Sequence, residues 1–271
     1  MAEVRPILTG HKTLIVGIAN DQSIAYGCAQ AFRAAGADLA ITWLNDKARL
    51  YVEPLGTALG AQIMTMRGLS AAYWLLKTNP WMKAGDTILI HAAAGGVGLI
   101  AVQWAKLLGL RVIGTVSTLE KAATAKAHGC DEIIFYRRED VAERVRELTN
   151  GEGVTTVYDT VGKDTFDASL KSLKRRGVLV GCGTASGPFP PIDALKMAIQ
   201  GSVYFTRPAL ADYIADPAER AELAGALFDH VASGRIKVEV NQRYALEDAV
   251  QAHRDLEARR TTGSSVFVVE A

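Results

Sequence analysis

The residues best placed to do chemistry are three small ones. After the apolar run Thr87 to His91 (TILIH) comes AAAGGVGLIAVQWAKLLG, in which Ala92, Gly95 and Gly98 stand at the A-x-x-G-x-x-G spacing of a dinucleotide fingerprint. Residues without bulk let the backbone turn tightly, approach a pyrophosphate and pack the next helix on its sheet, while N–H groups at the helix start attract the anion. Gly95, Gly96, Val97 and Gly98 are therefore expected to meet phosphate oxygens. A tight turn without ligand would use the same glycines, but the strand before and the amphipathic helix after favour a nucleotide. The following strand ends in GTVSTLEK, where an enzyme using NADH places Asp or Glu to hold the ribose hydroxyls. Ser117 and Thr118 sit there instead, with Lys121 one helical turn further on. Hydroxyls and an ammonium suit a 2′-phosphate, which a carboxylate would repel, so NADPH is the expected cofactor. The plain alternative for Lys121 is a solvated lysine paired with Glu120.

Other reactive residue types form no comparable constellation. Tyr73 and Lys77 have a Tyr-x3-Lys spacing, yet they fall in a connecting helix, and a dyad without its context is weak. His91, at the strand end beside the glycine turn, reads first as a hydrogen-bonded structural histidine, and His128, His230 and His253 offer no evident acid. Catalytic residues are therefore left unassigned. Cys28, Cys130 and Cys182 are too widely spaced for a C-x-x-C pair or a metal cluster, so no metal is expected and a reducing, cytoplasmic setting follows.

Alternating strands and helices must position these residues. Thr13 to Gly17, Leu39 to Leu44 and Gln62 to Met66 read as strands, with helices over Ser23 to Ala35 and Tyr51 to Leu59, which makes a first β-α-β-α-β segment. Residues 68 to 80 read as a helix that stops near Asn79-Pro80. Strands recur at Thr87 to His91, Arg111 to Val116, Glu132 to Tyr136, Thr156 to Asp159 and Val178 to Gly181, and helical periodicity fills most gaps. Such alternation means an α/β fold, a doubly wound parallel Rossmann sheet preceded by a partial second Rossmann-like βαβαβ unit. The expected organisation is a partial unit over 1–66, a connector helix over 67–83, a nucleotide-binding domain over 84–207 and helices and strands over 208–271. In the last part Val238 to Val240 and Ser265 to Val269 read as strands, with a helix from about Leu246 to Arg260. The glycine turn recurs loosely, at Gly17 and again at Gly95.

With 271 residues, 49% of them hydrophobic, 22% charged, and 30 basic against 29 acidic, the chain reads as globular with no polyanion-binding patch, so no nucleic-acid partner is expected. The opening MAEVRPILTG lacks a signal-peptide apolar core, and nowhere do about 18 apolar residues run together, so no membrane association is expected.

Residues 67 to 269 resemble the quinone oxidoreductase branch of the zinc-free medium-chain dehydrogenase/reductases. HAAAGGVG, GTVSTLEKA, IIFYRRED, VYDTVGKDTF, GCGTASG, YFTRP and AHRDLEARRTTGSSVFVV carry the likeness. The resemblance implies that Ser117, Lys121, Tyr136 and Arg259 gather around the adenosine 2′-phosphate, that Gly183 lies near the nicotinamide, that the substrate is a small quinone or enone, and that GSVYFTRP pairs with its twin in a homodimer. Taken alone, Tyr136 reads as a half-buried strand tyrosine and Arg259 as a solvated helix-end cation. Residues 9 to about 66 are similar instead to the start of short-chain enoyl-acyl-carrier-protein reductases. There the G-x-A-x-x-x-S-I-A turn, here Gly17, Ala19, Ser23, Ile24 and Ala25, would wrap an NADH pyrophosphate. That family's Tyr-x6-Lys is absent from the sequence. The opening catalytic domain of a medium-chain reductase is not matched either, so the chain reads as a chimera joined near Met66 and Arg67. Three functions follow: an NADPH-dependent quinone or enone reductase with impaired turnover, a non-catalytic nucleotide-binding chimera, and an NADH-dependent enoyl-thioester reductase. The strands near 238 and 265 are expected to seek partners in the front segment.

Overall fold

In the computed structural model the described residues are 12–16, 38–42, 62–63, 67–245 and 248–268, with Gln30 and Arg33. The chain divides into two compact units, parting between Gly68 and Leu69 and again between Val266 and Phe267. In the first, β1 (Lys12–Val16), β2 (Asp38–Thr42) and β3 (Gln62–Ile63) form a parallel sheet in the order β1-β2-β3. Gly17, Ser23 and Ile24, named above for a second phosphate turn, lie outside the described residues, as do the helices expected over 23–35 and 51–59 apart from the two isolated residues.

A helix, α1 (Arg67–Lys77), leads into the second unit and ends before the Asn79-Pro80 step that forbids its continuation. There β4 (Thr87–Ile90), β5 (Arg111–Val116), β6 (Glu132–Phe135), β7 (Val154–Asp159), β8 (Leu173–Gly181) and β9 (Tyr204–Thr206) make one sheet in the order β6-β5-β4-β7-β8-β9, every pair parallel. Counted from β4 this is the order 3-2-1-4-5-6 of a dinucleotide fold, whose ligand crevice opens beyond the carboxyl ends of its first and fourth strands. Buried on both faces, the central strands are apolar almost throughout: every residue of β7 is buried. Helices α2 (Gly96–Leu107), α3 (Leu119–Ala127), α4 (Val141–Leu148) and α5 (Phe166–Ser172) supply the crossovers. Leu89, Ile113, Ile134, Val157 and Leu179, one from each of five neighbouring strands, share a core with Val145 of α4 and Leu170 of α5.

Beyond the core strands lie α6 (Ala194–Ile199), α7 (Leu210–Tyr213), α8 (Pro217–Ala232) and α9 (Ala249–Glu257). β10 (Val240–Ala245) and β11 (Ser264–Val268) pair in a two-stranded sheet. This corrects one expectation. The strand foreseen at 238–240 begins at Val240 and runs on through NQRYA, and it pairs with β11. Among the described residues, no helix is long and apolar enough to cross a membrane.

Candidate functional site

The glycine turn lies at the carboxyl end of β4. Gly95, at φ −79° and ψ 168°, is the N-cap of α2 and has no side chain with which to cap it, so the first N–H groups of the helix are available to an anion. Ala92 carries the bend. It holds a left-handed φ of 53°, and its carbonyl accepts from the Gly95 N–H at 2.9 Å. Gly98 must pass close to that carbonyl, since a Cβ there would fall 2.4 Å from the Ala92 oxygen. From the far side Gly263 donates its N–H to the Ala94 carbonyl at 3.0 Å, and a β-bridge links Gly95 to Gly263. The segment leading into β11 thus braces the turn.

A cavity of ≈ 600 Å³ opens at this end of the sheet. Gly95 is in its wall, with Ser117, Lys121, Tyr136 and Arg259 at one end and Thr160, Val161 and Ala185 elsewhere around it. Lys121 projects from the first turn of α3 and donates to the Arg259 carbonyl at 2.5 Å, while the Arg259 guanidinium donates to the Tyr136 hydroxyl at 3.4 Å. Arg259 adopts a φ of 57° just past α9, which turns its carbonyl back toward Lys121. Two cations meet here, Lys121 and Arg259, in a wall that also carries Glu139, Asp140 and Asp164. Burial, then the Arg137 and Arg259 charges, hold the Lys121 ammonium below its ordinary pKa against the opposing pull of Tyr136 and Glu120. For Tyr136, burial alone would raise the pKa, but hydrogen bonds from Arg259 and Ser117 and the charges of Arg259 and Arg137 outweigh it and bring it down. The two cations and two hydroxyls of this cluster have the chemistry to hold an anion.

Not every residue named from the sequence faces the cavity. Thr118 is exposed and caps α3, its Oγ1 accepting from the Lys121 N–H at 3.3 Å, so its hydroxyl serves the helix. Gly96, Val97 and Gly98 follow Gly95 into the first turn of α2 and are not among the residues lining the cavity. Gly183 lies two residues before Ala185 in the wall, and a Cβ on it would meet the Thr160 carbonyl at 2.4 Å, so a close chain crossing demands glycine there. Thr115 and Thr160 also line the cavity, although neither stood out in the sequence. Alternation along β5 could have marked Thr115, because the residue two before Ser117 points the same way.

The remaining reactive groups are committed elsewhere. Tyr73 is buried, stacks on Tyr213 with ring centroids 4.7 Å apart, and has a phenol pushed up to about 12 chiefly by burial. Lys77 holds Glu222 at 2.8 Å. The pair is no catalytic dyad. Burial pushes the Cys130 thiol up to about 12 and that of Cys182 well above its usual value, with neighbouring Asp131 and Asp159 adding to the respective shifts. Among the described residues, no group of three or more His, Cys, Asp or Glu could hold a metal ion.

The sheet order and the glycine turn define the second unit as a Rossmann-type unit. Two protein families match different parts of the chain: one described as zinc-binding dehydrogenase over residues 96–216, and one described as enoyl-(acyl carrier protein) reductase over residues 17–68. Over about three quarters of its length the chain is similar to quinone oxidoreductases. That of Pseudomonas aeruginosa is 48% identical over 208 residues, which are 77% of this chain and 64% of the relative. A 2-haloacrylate reductase from Burkholderia is 44% identical over 209 residues, 77% of this chain and 62% of the relative. The crystal structure of Escherichia coli quinone oxidoreductase complexed with NADPH superposes with a TM-score of 0.72 at 47% identity, covering 75% of this chain and 63% of that one. The chain spans less than two thirds of the length of these curated relatives.

Proposed function

We propose that the second unit binds one NADPH per chain in the cavity beside Gly95 and presents it for hydride transfer to a small quinone or enone. The gathering of Ser117, Lys121, Tyr136 and Arg259 at one end of that cavity carries the reading. Lys121 and Arg259 would neutralise the 2′-phosphate and the two hydroxyls would share its remaining oxygens. Gly95, Gly96, Val97 and Gly98 would hold the pyrophosphate through backbone N–H groups, and the Gly183 crossing would seat the nicotinamide. When bound, the cofactor supplies the hydride; the chain's own part is to orient it and to exclude water. Relatives named for quinone and haloacrylate reduction support this substrate class, and one solved in complex with NADPH supports the cofactor.

Turnover is slow in this reading. The imidazole in the cavity wall, His91, has both nitrogens engaged, and an acceptor misplaced by about 1 Å loses about a hundredfold in rate. In the first unit we read a partial Rossmann-like element of short-chain type, joined near residue 67 to the connector and the nucleotide domain proposed over 84–207. We place the protein in the cytoplasm as a homodimer paired through β9. A purely binding role is the second reading, favoured by the same engagement of His91. Oxidation of NADPH with a small quinone, measured where binding saturates, tests it: turnover below about 1 per second agrees, and a rate in the ordinary enzyme range of about 1 to 1000 per second contradicts the slow-turnover reading.

A further inference from the structure

Beneath the glycine turn lies a hydrogen-bonded chain that the nucleotide contacts do not use. His91 is 1% exposed, with Nδ1 3.1 Å from Thr115 Oγ1 and Nε2 3.0 Å from Ser169 Oγ. Ser169 Oγ lies 2.6 Å from Asp159 Oδ2, and the same carboxylate accepts from the N–H groups of Val161 and Gly162 and from Thr165 Oγ1. An acceptor-only carboxylate takes the single Ser169 proton, so the serine oxygen must accept from His91 Nε2–H. A neutral imidazole has one N–H, which leaves Nδ1 bare to accept from Thr115. With its own proton so directed, Thr115 Oγ1 has lone pairs for the Ala92 N–H, 3.4 Å away. The direction of every bond is thereby set, from the Asp159 charge to the amide of Ala92, which turns left-handed.

We infer that Asp159, Ser169, His91 and Thr115 form a positioning chain that fixes one imidazole tautomer and, through it, the Ala92 amide on which the nucleotide turn folds. Thr115 grips the turn twice, because its carbonyl also accepts the Ala93 N–H at 3.2 Å. The Ala92 carbonyl, oriented by that peptide, is the atom that Gly95 donates to and that Gly98 packs against. His91, Ala92 and Thr115 all line the cavity. The consequence for binding rests on the reading of that cavity as the NADPH site.

The test begins with the ligand-free full chain. Long-range 1H–15N spectra, with His91→Asn to assign the ring, should show the Nε2–H tautomer; the Nδ1–H tautomer would overturn the inference. Thr115→Val keeps the shape without the hydroxyl, and it should speed hydrogen exchange at the Ala92 amide and weaken NADPH in a nicotinamide-fluorescence titration by about tenfold. Thr115→Ser should restore both. Unchanged exchange and affinity in the valine variant would overturn the proposal. Should that variant not fold, Ser169→Ala serves: it removes the Nε2 acceptor and should mix the tautomers, and an unaltered tautomer would again count against the chain. If the unaltered protein binds no NADPH, the reading of the cavity fails, and tautomer and exchange still decide this inference.

Discussion

Gly98 stands where a methyl group has no room, because a Cβ would fall 2.4 Å from the Ala92 carbonyl oxygen and 2.8 Å from that of Ala93. Both atoms are backbone, so the turn itself must shift. Gly98→Ala is expected to lower stability by about 1 to 3 kcal/mol and to weaken nucleotide binding, as read by thermal melting and titration; a variant unchanged in both would show that the turn yields more easily than its geometry implies. Thr118→Ala separates helix from ligand. Loss of the cap should cost about 1 kcal/mol of stability in urea titration while NADPH affinity stays as it was, and a selective loss of affinity would return Thr118 to the phosphate site. Here the sequence was partly legible: a hydroxyl at the strand end is visible in GTVSTLEK, but that the first turn of α3 claims it is not. His91 gives a pH signature. Burial, opposed by Asp159, lowers its pKa below the ordinary 6.5, so its contribution to stability is full above pH 6.5 and is lost as pH falls toward the folded value. Urea midpoints compared between the chain and His91→Asn should diverge above pH 6.5 and converge in acid, and parallel curves would mean that the ring titrates freely.

At the level of elements, the strands with unbroken apolar runs were plain in the sequence and those interrupted by charge were not. Arg111 to Val116 is found as read, whereas β8 begins at Leu173 rather than Val178, because Lys174, Arg175 and Arg176 hide its start and Arg176 turns at φ 61°. β10 was placed too early for a different reason: its half-buried and exposed residues alternate, and Asn241, Gln242 and Arg243 carry no apolar signal. β9 is the outer strand of the six-stranded sheet, and its Tyr204 packs on Trp81 with ring centroids 5.0 Å apart, both rings largely exposed. Nearby in sequence, α6 buries none of its residues and exposes Leu195 and Ile199. An open strand edge with apolar neighbours invites pairing. The chain should therefore sediment as a dimer at micromolar concentration, with Tyr204→Lys shifting it toward monomer; a monomeric unaltered chain would remove β9 as an interface.

On the scale of the whole chain, two different family likenesses cover residues 17–68 and 96–216, and the cavity takes most of its lining from the second. The fingerprint spacing made the turn legible, because it is local in sequence. The cluster around Lys121 is not local: Ser117 follows β5, Lys121 lies in α3, Tyr136 follows β6 and Arg259 is the second residue after α9, so only the resemblance could assemble them in advance. Binding should accordingly outlast catalysis, since the parts that hold the cofactor are all within one unit. The most direct measurement is the ratio of NADH to NADPH dissociation constants, by nicotinamide-fluorescence titration, for the unaltered chain and for Lys121→Ala. A charge-assisted contact to the 2′-phosphate is worth about 1.5 to 3 kcal/mol, so NADPH should bind the unaltered chain at least about tenfold more tightly than NADH, and Lys121→Ala should erase most of that preference while leaving NADH unaffected. Equal weakening of both cofactors, or a chain that never distinguished them, would contradict the assignment of this cavity to NADPH.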